Sequence, residues 1–237
     1  MNKSITSTKR KQFIGYFIYY IMTKLLPVVE KFHSLQGEGF HCGKSAFFIR
    51  LAGCKVGCPW CDTKHSWDSK KYPLISIEAL LSEIKEARLE GASFIVLTGG
   101  EPLQHNLDEL CEIIKNRTET TKLNPVRIHI ETSGVNDFSG IFDWITLSPK
   151  RHNPPQDFFL EKCNEVKIII NDTNDIEFAR NIKNKIFDIK KNSKNEKKFF
   201  VQPAWNSNRG YKLAIEFAKR NPDWTLSLQT HKYLSIQ

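Results

Sequence analysis

Three cysteines lie close together near residue 55, with the spacing Cys-x3-Cys-x2-Cys. Cys54, Cys58 and Cys61 belong to the run GCKVGCPWCDT, in which Gly53 and Gly57 allow the backbone to fold back so that the sulfur atoms converge. Iron–sulfur clusters are held by cysteine thiolates, and a four-iron cluster normally takes four of them. A loop that supplies three thiolates would leave one iron open to bind a substrate directly.

Two other interpretations of this motif stay open on spacing alone. A zinc site needs a fourth ligand, which His41 or His65 would supply. The other interpretation is that the cysteines are buried structural residues, although structural cysteines rarely cluster in this way. The residues around the motif favour the iron–sulfur cluster.

Strands and helices alternate along the chain, which predicts an α/β fold. Apolar runs predict strands, and segments with helical periodicity predict helices, one of them with Ser76 as a possible N-cap. The predicted strands are 28–34, 46–52, 94–97, 126–130, 144–147, 165–170, 199–201 and 225–228, and the predicted helices are 76–90, 107–116, 175–185 and 209–220.

Polar or glycine-rich motifs recur where the predicted strands end, at Cys54, Thr98, Glu131, Ser148 and Gln202. In barrel-like α/β folds, ligands bind at the carboxyl ends of the strands. We therefore predict a partial (β/α)6 TIM-like barrel, with the cysteine loop after the first core strand.

Arg50 lies inside the apolar segment 46–52, where an unpaired charge is costly. Its planar guanidinium suits a carboxylate ligand. The alternative is a structural ion pair with Glu38, which follows Gln36 and Gly37 in a tight loop.

The first 21 residues differ from the rest of the chain. Residues 13–22 are apolar and follow Lys9, Arg10 and Lys11, but the run is too short to span a bilayer and has no small-residue cleavage site after it. We expect residues 1–21 to be an extension outside the native fold, with a natural start at Met22 and a single domain over 22–237.

The net charge of +9 is compatible with an anionic small molecule, and no stacked aromatic residues or binding motif indicate nucleic acid. The remaining cysteines are scattered, as expected in a reducing cytoplasm.

The cysteine motif, together with Thr98-Gly99-Gly100-Glu101-Pro102 at a predicted strand end, resembles the radical S-adenosylmethionine (SAM) superfamily. In that superfamily the open iron binds the amino and carboxylate groups of SAM, and an electron from the cluster cleaves SAM to a 5′-deoxyadenosyl radical. The backbone of the glycine-rich element binds the SAM amino group.

Further motifs narrow the resemblance to the 7-carboxy-7-deazaguanine synthase family. They cover about residues 28–237: SLQGEG from Ser34, FIRL from Phe48, CDT from Cys61, SPK from Ser148, VQP from Val201 and QTHK from Gln229. The resemblance implies a carbon–nitrogen lyase that converts 6-carboxy-5,6,7,8-tetrahydropterin to 7-carboxy-7-deazaguanine in queuosine biosynthesis. The implied reaction removes hydrogen from C6, contracts the ring, releases ammonia and regenerates SAM.

The resemblance also implies a role for individual residues, with no catalytic group beyond the cluster and SAM. Cys54, Cys58 and Cys61 would hold a 4Fe–4S cluster, and Thr63 would ligate magnesium, which prefers hard oxygen ligands. The implied SAM contacts are Trp60, Cys61, Asp62, Gly100, Glu101, Ser133, Ser148, Pro149, Lys150, Gln202, Pro203, Ala204 and Trp205. The implied substrate contacts are Leu35, Gln36, Gly37, Glu38, Arg50, Thr98, His231 and Gln237.

Some of these assignments have competing interpretations. Gln237 takes the place of a residue that is often proline in the family, so its contact would be made by the terminal carboxylate. Glu131 is equally compatible with a core role and with ligand contact, His231 could be a solvated histidine, and His105 and His129 are expected to be structural.

The resemblance implies a cytoplasmic homodimer reduced by an electron donor such as flavodoxin, with no membrane and no direct nucleic acid. Two rival functions are a glycyl-radical activase, which would have an open groove for a protein substrate, and a zinc-stabilised nucleic-acid-binding module.

Overall fold

The computed structural model describes residues 24–118, 125–189 and 196–237, so the predicted extension over residues 1–21 lies outside the described residues. The described residues form one nine-stranded sheet in the order β3-β1-β2-β4-β5-β6-β7-β8-β9. Its strands are β1 (Leu25–Leu35), β2 (Ser45–Leu51), β3 (Leu74–Ser76), β4 (Phe94–Gly99), β5 (Ile128–Thr132), β6 (Trp144–Leu147), β7 (Glu165–Ile170), β8 (Lys198–Pro203) and β9 (Trp224–Leu226).

The sheet is parallel from β2 to β9, whereas β1 runs antiparallel to both β2 and β3. Neither edge strand pairs with the other, so the sheet is open, and the expected partial (β/α)6 barrel is confirmed. The parallel order brings the carboxyl ends of β2 and β4–β8 to one edge, where the predicted polar motifs meet.

Helices connect the parallel strands and cover the outer face of the sheet. They are α1 (Ile77–Leu89), α2 (Asp108–Thr118), α3 (Asp157–Lys162), α4 (Thr173–Ile189), α5 (Asn208–Arg220) and α6 (Thr230–Leu234). The predicted N-cap is confirmed, because the Ser76 hydroxyl accepts a hydrogen bond from the Ala79 N–H at 3.2 Å. The strand β3 and the helices α3 and α6 were not predicted, because three to six residues carry too little periodicity.

The main core lies between the sheet and the helices, where side chains such as Ile95 and Leu97 of β4 pack with Leu80 and Ile84 of α1. A second, smaller cluster, which includes Phe48 of β2, lies apart from this core. None of the helices in the described ranges is long and apolar enough to cross a membrane.

The segment 36–44 between β1 and β2 crosses the amino ends of several strands. The Phe40 ring stacks on Trp144, the first residue of β6, and the His41 ring lies 5.3 Å from that of Phe94, the first residue of β4. The Phe40 N–H donates to Glu165, the first residue of β7, at 2.9 Å. This segment therefore closes the barrel at the end opposite to the cysteine loop.

Candidate active site

The cysteine loop begins directly after β2 and is held by the chain that follows it. The Gly53 N–H donates to the Ser66 carbonyl at 2.7 Å, and the Cys54 N–H donates to the Trp67 carbonyl at 3.1 Å. Within the loop the Cys61 N–H donates to the Cys58 carbonyl at 3.1 Å. The loop is thus a set of hydrogen-bonded turns that presents its cysteines at the strand ends.

The cysteine sulfur atoms lie close enough to influence one another. Burial raises the pKa of the Cys54 and Cys58 thiols, and the neighbouring Cys61 raises both further by charge repulsion. The Lys150 ammonium lowers the pKa of Cys58, and hydrogen bonds from the Val56 and Gly57 N–H groups lower the pKa of Cys54. Thiols that are crowded together and have raised pKa values suit the binding of a cationic iron–sulfur cluster, because the cluster would stabilise all three thiolates.

The zinc interpretation fails on the positions of its proposed fourth ligands. His65 is exposed and does not line the cavity beside the cysteines. The His41 ring packs among Phe94, His129 and Trp144 at the other end of the barrel.

The predicted glycine-rich element packs directly on the cysteine loop. The Gly100 N–H donates to the Leu51 carbonyl, and the Glu101 N–H donates to the Gly53 carbonyl, each at 2.9 Å. A Cβ atom on Gly100 would lie 2.5 Å from the Gly53 oxygen and 2.8 Å from the Cys54 Cβ. Glycine is therefore required here by the close approach of two backbone segments.

The Glu101 carboxylate joins the ends of β4 and β5. It is 2% exposed and accepts hydrogen bonds from the Thr132 hydroxyl at 2.7 Å, the Ser133 N–H at 2.8 Å and the Leu103 N–H at 3.2 Å. The Ser133 hydroxyl donates to it as well. These bonds fix the two strand ends that the resemblance assigns to SAM.

A cavity of about 430 Å³ lies at the carboxyl ends of the strands, over the cysteine loop. It is lined by every predicted site residue except Pro149, which is buried between the lining residues Ser148 and Lys150. The predicted residues in its wall are Leu35, Gln36, Gly37, Glu38, Arg50, Cys54, Cys58, Trp60, Cys61, Asp62, Thr63, Thr98, Gly100, Glu101, Ser133, Ser148, Lys150, Gln202, Pro203, Ala204, Trp205, His231 and Gln237.

Arg50 forms an ion pair, and the alternative interpretation was wrong about its partner. Its Nε donates to Glu30 Oε1 at 2.6 Å, whereas Glu38 pairs with Lys167. Glu30 and Arg50 are directly opposite each other on β1 and β2, which explains the pairing. The two terminal nitrogens of Arg50 hydrogen-bond no other described residue, so they can reach a carboxylate in the cavity.

Gln36 and Thr98 are joined through Glu131. The Gln36 Nε2 donates to Glu131 Oε1 at 3.0 Å, and the Thr98 hydroxyl donates to Glu131 Oε2 at 3.1 Å. The Gln36 Oε1 accepts from the Glu38 N–H at 3.1 Å. Glu131 therefore belongs to the wall of the cavity and fixes two of the residues predicted to bind substrate.

On the opposite wall, the Lys150 ammonium donates to the Ser148 hydroxyl at 2.7 Å. Burial lowers the pKa of Lys150, while the nearby Cys58 raises it. The Gln202 side chain is 1% exposed and accepts a hydrogen bond from the Ser227 hydroxyl at 2.8 Å, which anchors the start of the loop leading to Trp205.

Asp62 and Thr63, which follow the last cysteine, have different environments. Asp62 accepts hydrogen bonds from Lys232 and from Gln229, the latter at 3.3 Å, and so ties α6 to the cysteine loop. The Thr63 hydroxyl lies 3.4 Å from the Cys61 sulfur and forms no helix-capping bond. The Thr63 hydroxyl lies in the cavity wall and is not used to cap the helix, so it can serve as the single protein ligand expected for magnesium.

The C-terminal segment closes one side of the cavity. A Cβ on Gly37 would lie 2.2 Å from His231 Nδ1, so the glycine makes room for the imidazole. Burial lowers the pKa of the half-buried His231, against the opposing effect of Glu38. The Ser34 hydroxyl donates to the main-chain oxygen of Gln237 at 2.7 Å.

Several residues of the cavity wall were absent from the predicted site. Among them, Lys167 had a usable signal, because a lysine within the apolar run Glu165–Ile170 is as unusual as Arg50 within its strand. Gln229 and Lys232 belong to the QTHK motif but received no role, and Glu30 had no signal, because its contact with Arg50 depends on strand register.

The comparison with known families agrees with this geometry. The model of the Radical SAM superfamily matches residues 48–188, from β2 through α4. The open barrel and the cysteine loop thus define a radical SAM enzyme, whose superfamily uses a 4Fe–4S cluster and SAM.

Relatives narrow the assignment. The chain is 49% identical over 224 residues to the 7-carboxy-7-deazaguanine synthase of Prochlorococcus marinus, covering 91% of this chain and 100% of that protein. It is 34% identical over 233 residues to the same enzyme of Escherichia coli K12, covering 89% and 98%. The crystal structure of QueE from Escherichia coli superposes with a TM-score of 0.71 at 30% identity and covers 91% of this chain and 98% of that one. The chain belongs to the 7-carboxy-7-deazaguanine synthase family.

Proposed function

We propose that this chain converts 6-carboxy-5,6,7,8-tetrahydropterin to 7-carboxy-7-deazaguanine with release of ammonia, as a step in queuosine biosynthesis. The observation that carries the proposal is one cavity that holds both the cysteine loop and the available terminal nitrogens of Arg50. A guanidinium held at Nε by Glu30 can bind the substrate carboxylate with both terminal nitrogens.

Cys54, Cys58 and Cys61 would hold the cluster, and Lys150 would contact SAM in the same cavity. When bound, the cluster and SAM supply the one-electron chemistry that removes a hydrogen atom from C6 of the pterin; the chain supplies position and shelter from water. Its half-buried Lys150 donates a hydrogen bond to the Ser148 hydroxyl, and Glu101 fixes the ends of β4 and β5.

Magnesium belongs to the same proposal, with Thr63 as its protein ligand. One hydroxyl together with oxygen atoms of the substrate and water gives the hard oxygen environment that magnesium prefers. The ion would add to the charge that Arg50 supplies in neutralising the substrate carboxylate.

His231 and Gln237 would close the cavity over the pterin. Thr230 supports this position, because its N–H and hydroxyl both donate to the Gly37 carbonyl, at 3.0 and 2.9 Å. Leu35, Gln36 and Thr98 would contact the ring from the other side.

We also propose that a small acidic protein such as flavodoxin supplies the electron. Lys55 lies in the cysteine loop, and Lys64, Lys70 and Lys71 lie in the segment that hydrogen-bonds it; all four are exposed and form no ion pair within the described residues. This basic surface complements an acidic partner next to the cluster. A homodimer and a cytoplasmic location are part of the same proposal, and light scattering would test the dimer.

Anaerobic turnover tests the function. Reconstituted protein with dithionite, magnesium, SAM and 6-carboxytetrahydropterin is expected to yield 7-carboxy-7-deazaguanine, identified by mass spectrometry, and Cys58→Ala should abolish it. Accumulation of 5′-deoxyadenosine without that product would refute the substrate. A fully loaded cluster that cleaves no SAM would refute the enzyme itself.

A further inference from the structure

Lys167 lies on the inner face of β7, in the wall of the cavity. The residue is 5% exposed, and its neighbour on the same face, Glu165, is 3% exposed. An ammonium group at such a depth is costly unless it is paired and hydrogen-bonded. The mechanism proposed above does not use it.

The Lys167 ammonium is surrounded by carboxylates. Its Nζ donates to Glu38 Oε2, and Glu131 and Glu165 add negative charge nearby. Burial alone would raise the pKa of Glu38, yet Lys167 holds it at about 2, so Glu38 is a carboxylate at neutral pH.

Each carboxylate of this group already accepts hydrogen bonds. Glu38 accepts from Lys167 at Oε2 and from the Gln229 amide at Oε1, the latter at 3.0 Å, and each of its oxygens has a second lone pair for a ligand. Glu131 accepts from Gln36 and Thr98, while Glu165 accepts from the Phe40 N–H and from the Thr146 hydroxyl. An ammonium has three N–H groups, and Glu38 is its one hydrogen-bond partner among the described residues. Two N–H groups of a buried cation therefore remain for a ligand in the cavity.

The pyrimidinone ring of a pterin presents a complementary edge. Its ring N–H and its exocyclic amino group are donors, and its carbonyl oxygen beside them is an acceptor. A carboxylate and an ammonium side by side match this order of donors and acceptor, because the carboxylate accepts and the ammonium donates.

We propose that Lys167 is a specificity-determining residue whose ammonium donates a hydrogen bond to the 4-oxo group of the pterin. Lys167 also positions Glu38 so that its carboxylate can accept hydrogen bonds from the adjacent N–H groups. The inference rests on the proposed function and names the chemistry by which this cavity distinguishes its substrate. It predicts rejection of a ring with an amino group in place of the oxo group, because two donors would then face each other.

The test measures binding rather than turnover. Fluorescence titration with 6-carboxypterin and with its 4-amino analogue, at neutral pH where both ring systems are uncharged, compares wild type with variants. Wild type should prefer the oxo ring by about 100-fold, which is the size expected when one hydrogen bond from a charged group is lost. Equal affinities of wild type for the two analogues would overturn the inference without any variant.

Lys167→Met should weaken binding of 6-carboxypterin by about 10- to 100-fold and remove the preference between the analogues, since a charged hydrogen bond is lost. Lys167→Arg should restore part of the preference, because it keeps the cation. Retention of both affinity and preference in Lys167→Met, or an equal loss for both analogues, would overturn the inference.

Lys197 provides a matched control for removal of a buried lysine. It is 9% exposed, and its ammonium donates to the carbonyls of Glu161 and Cys163, away from the cavity. The folded fraction of Lys197→Met should keep the preference for the oxo ring. If this variant also loses the preference, the effect is not specific to Lys167. If wild type binds neither analogue, the proposed function fails as well; if it binds 6-carboxypterin without the preference, the proposed function stands and the role of Lys167 falls.

Discussion

Gly100→Ala should disturb the cluster through its contact with the cysteine loop. The added Cβ would lie 2.5 Å from the Gly53 oxygen and 2.8 Å from the Cys54 Cβ, whereas ordinary contacts begin at 3.4 Å. The loop would therefore have to move by about 0.6 to 0.9 Å. The same movement would strain the hydrogen bond from the Glu101 N–H to the Gly53 carbonyl.

Overpacking of this kind costs about 1–3 kcal/mol of unfolding free energy. A misplacement of about 1 Å also costs on the order of 100-fold in rate when reacting groups must be aligned. We expect Gly100→Ala to bind less iron and sulfide per chain after anaerobic reconstitution and to lose most of its turnover. The assay is iron analysis with the visible absorbance of the cluster, followed by product formation.

Gly91→Ala is the control. Gly91 has a φ of +107° with no atom within 4 Å of the added Cβ, so the substitution strains the backbone without a contact. It should lower stability by about 1–2 kcal/mol and leave cluster content unchanged. Full cluster loading and wild-type turnover in Gly100→Ala would refute the packing argument.

Three further predictions concern charge. Arg50→Lys should raise the KM for the pterin by about 10- to 100-fold in steady-state kinetics, because one ammonium replaces two aligned N–H donors and the bond to Glu30; an unchanged KM would contradict this. Burial, with His41 nearby, lowers the pKa of His129 to about 3, so below pH 6.5 the unfolded chain binds a proton that the folded chain does not. The free energy of unfolding should therefore fall by at most about 5 kcal/mol as the pH drops from 6.5. His129→Phe should flatten this part of the profile of stability against pH, and an unchanged slope would contradict the prediction. Exchanging Lys70 and Lys71 for Glu should slow turnover driven by flavodoxin about tenfold and leave turnover driven by dithionite unchanged, and equal slowing with both reductants would argue against a docking surface.

Residue type within local sequence was enough to predict much of the site. The cysteine spacing, the charged Arg50 in an apolar strand and the polar motifs at strand ends all lie where a parallel sheet must bring them together. Ser76 could be predicted as an N-cap because its bond is made within three residues.

Contacts between distant segments could not be predicted in this way. The pairing of Arg50 with Glu30 depends on the antiparallel register of β1 and β2, and that of Glu38 with Lys167 depends on the path of segment 36–44 across the barrel. The helix α6 is five residues long and has no buried residues, so its place is set by contacts such as Lys232 with Asp62 rather than by its own periodicity.

We propose that the cysteine loop and the residues assigned to the pterin share one cavity because C6 of the pterin must lie within reach of SAM. Turnover of 6-carboxytetrahydropterin that carries deuterium at C6 tests it, with mass spectrometry of the recovered SAM and 5′-deoxyadenosine. We expect the label in the deoxyadenosyl group and 7-carboxy-7-deazaguanine as the product. Product formed without any transfer of label from C6 would contradict the account.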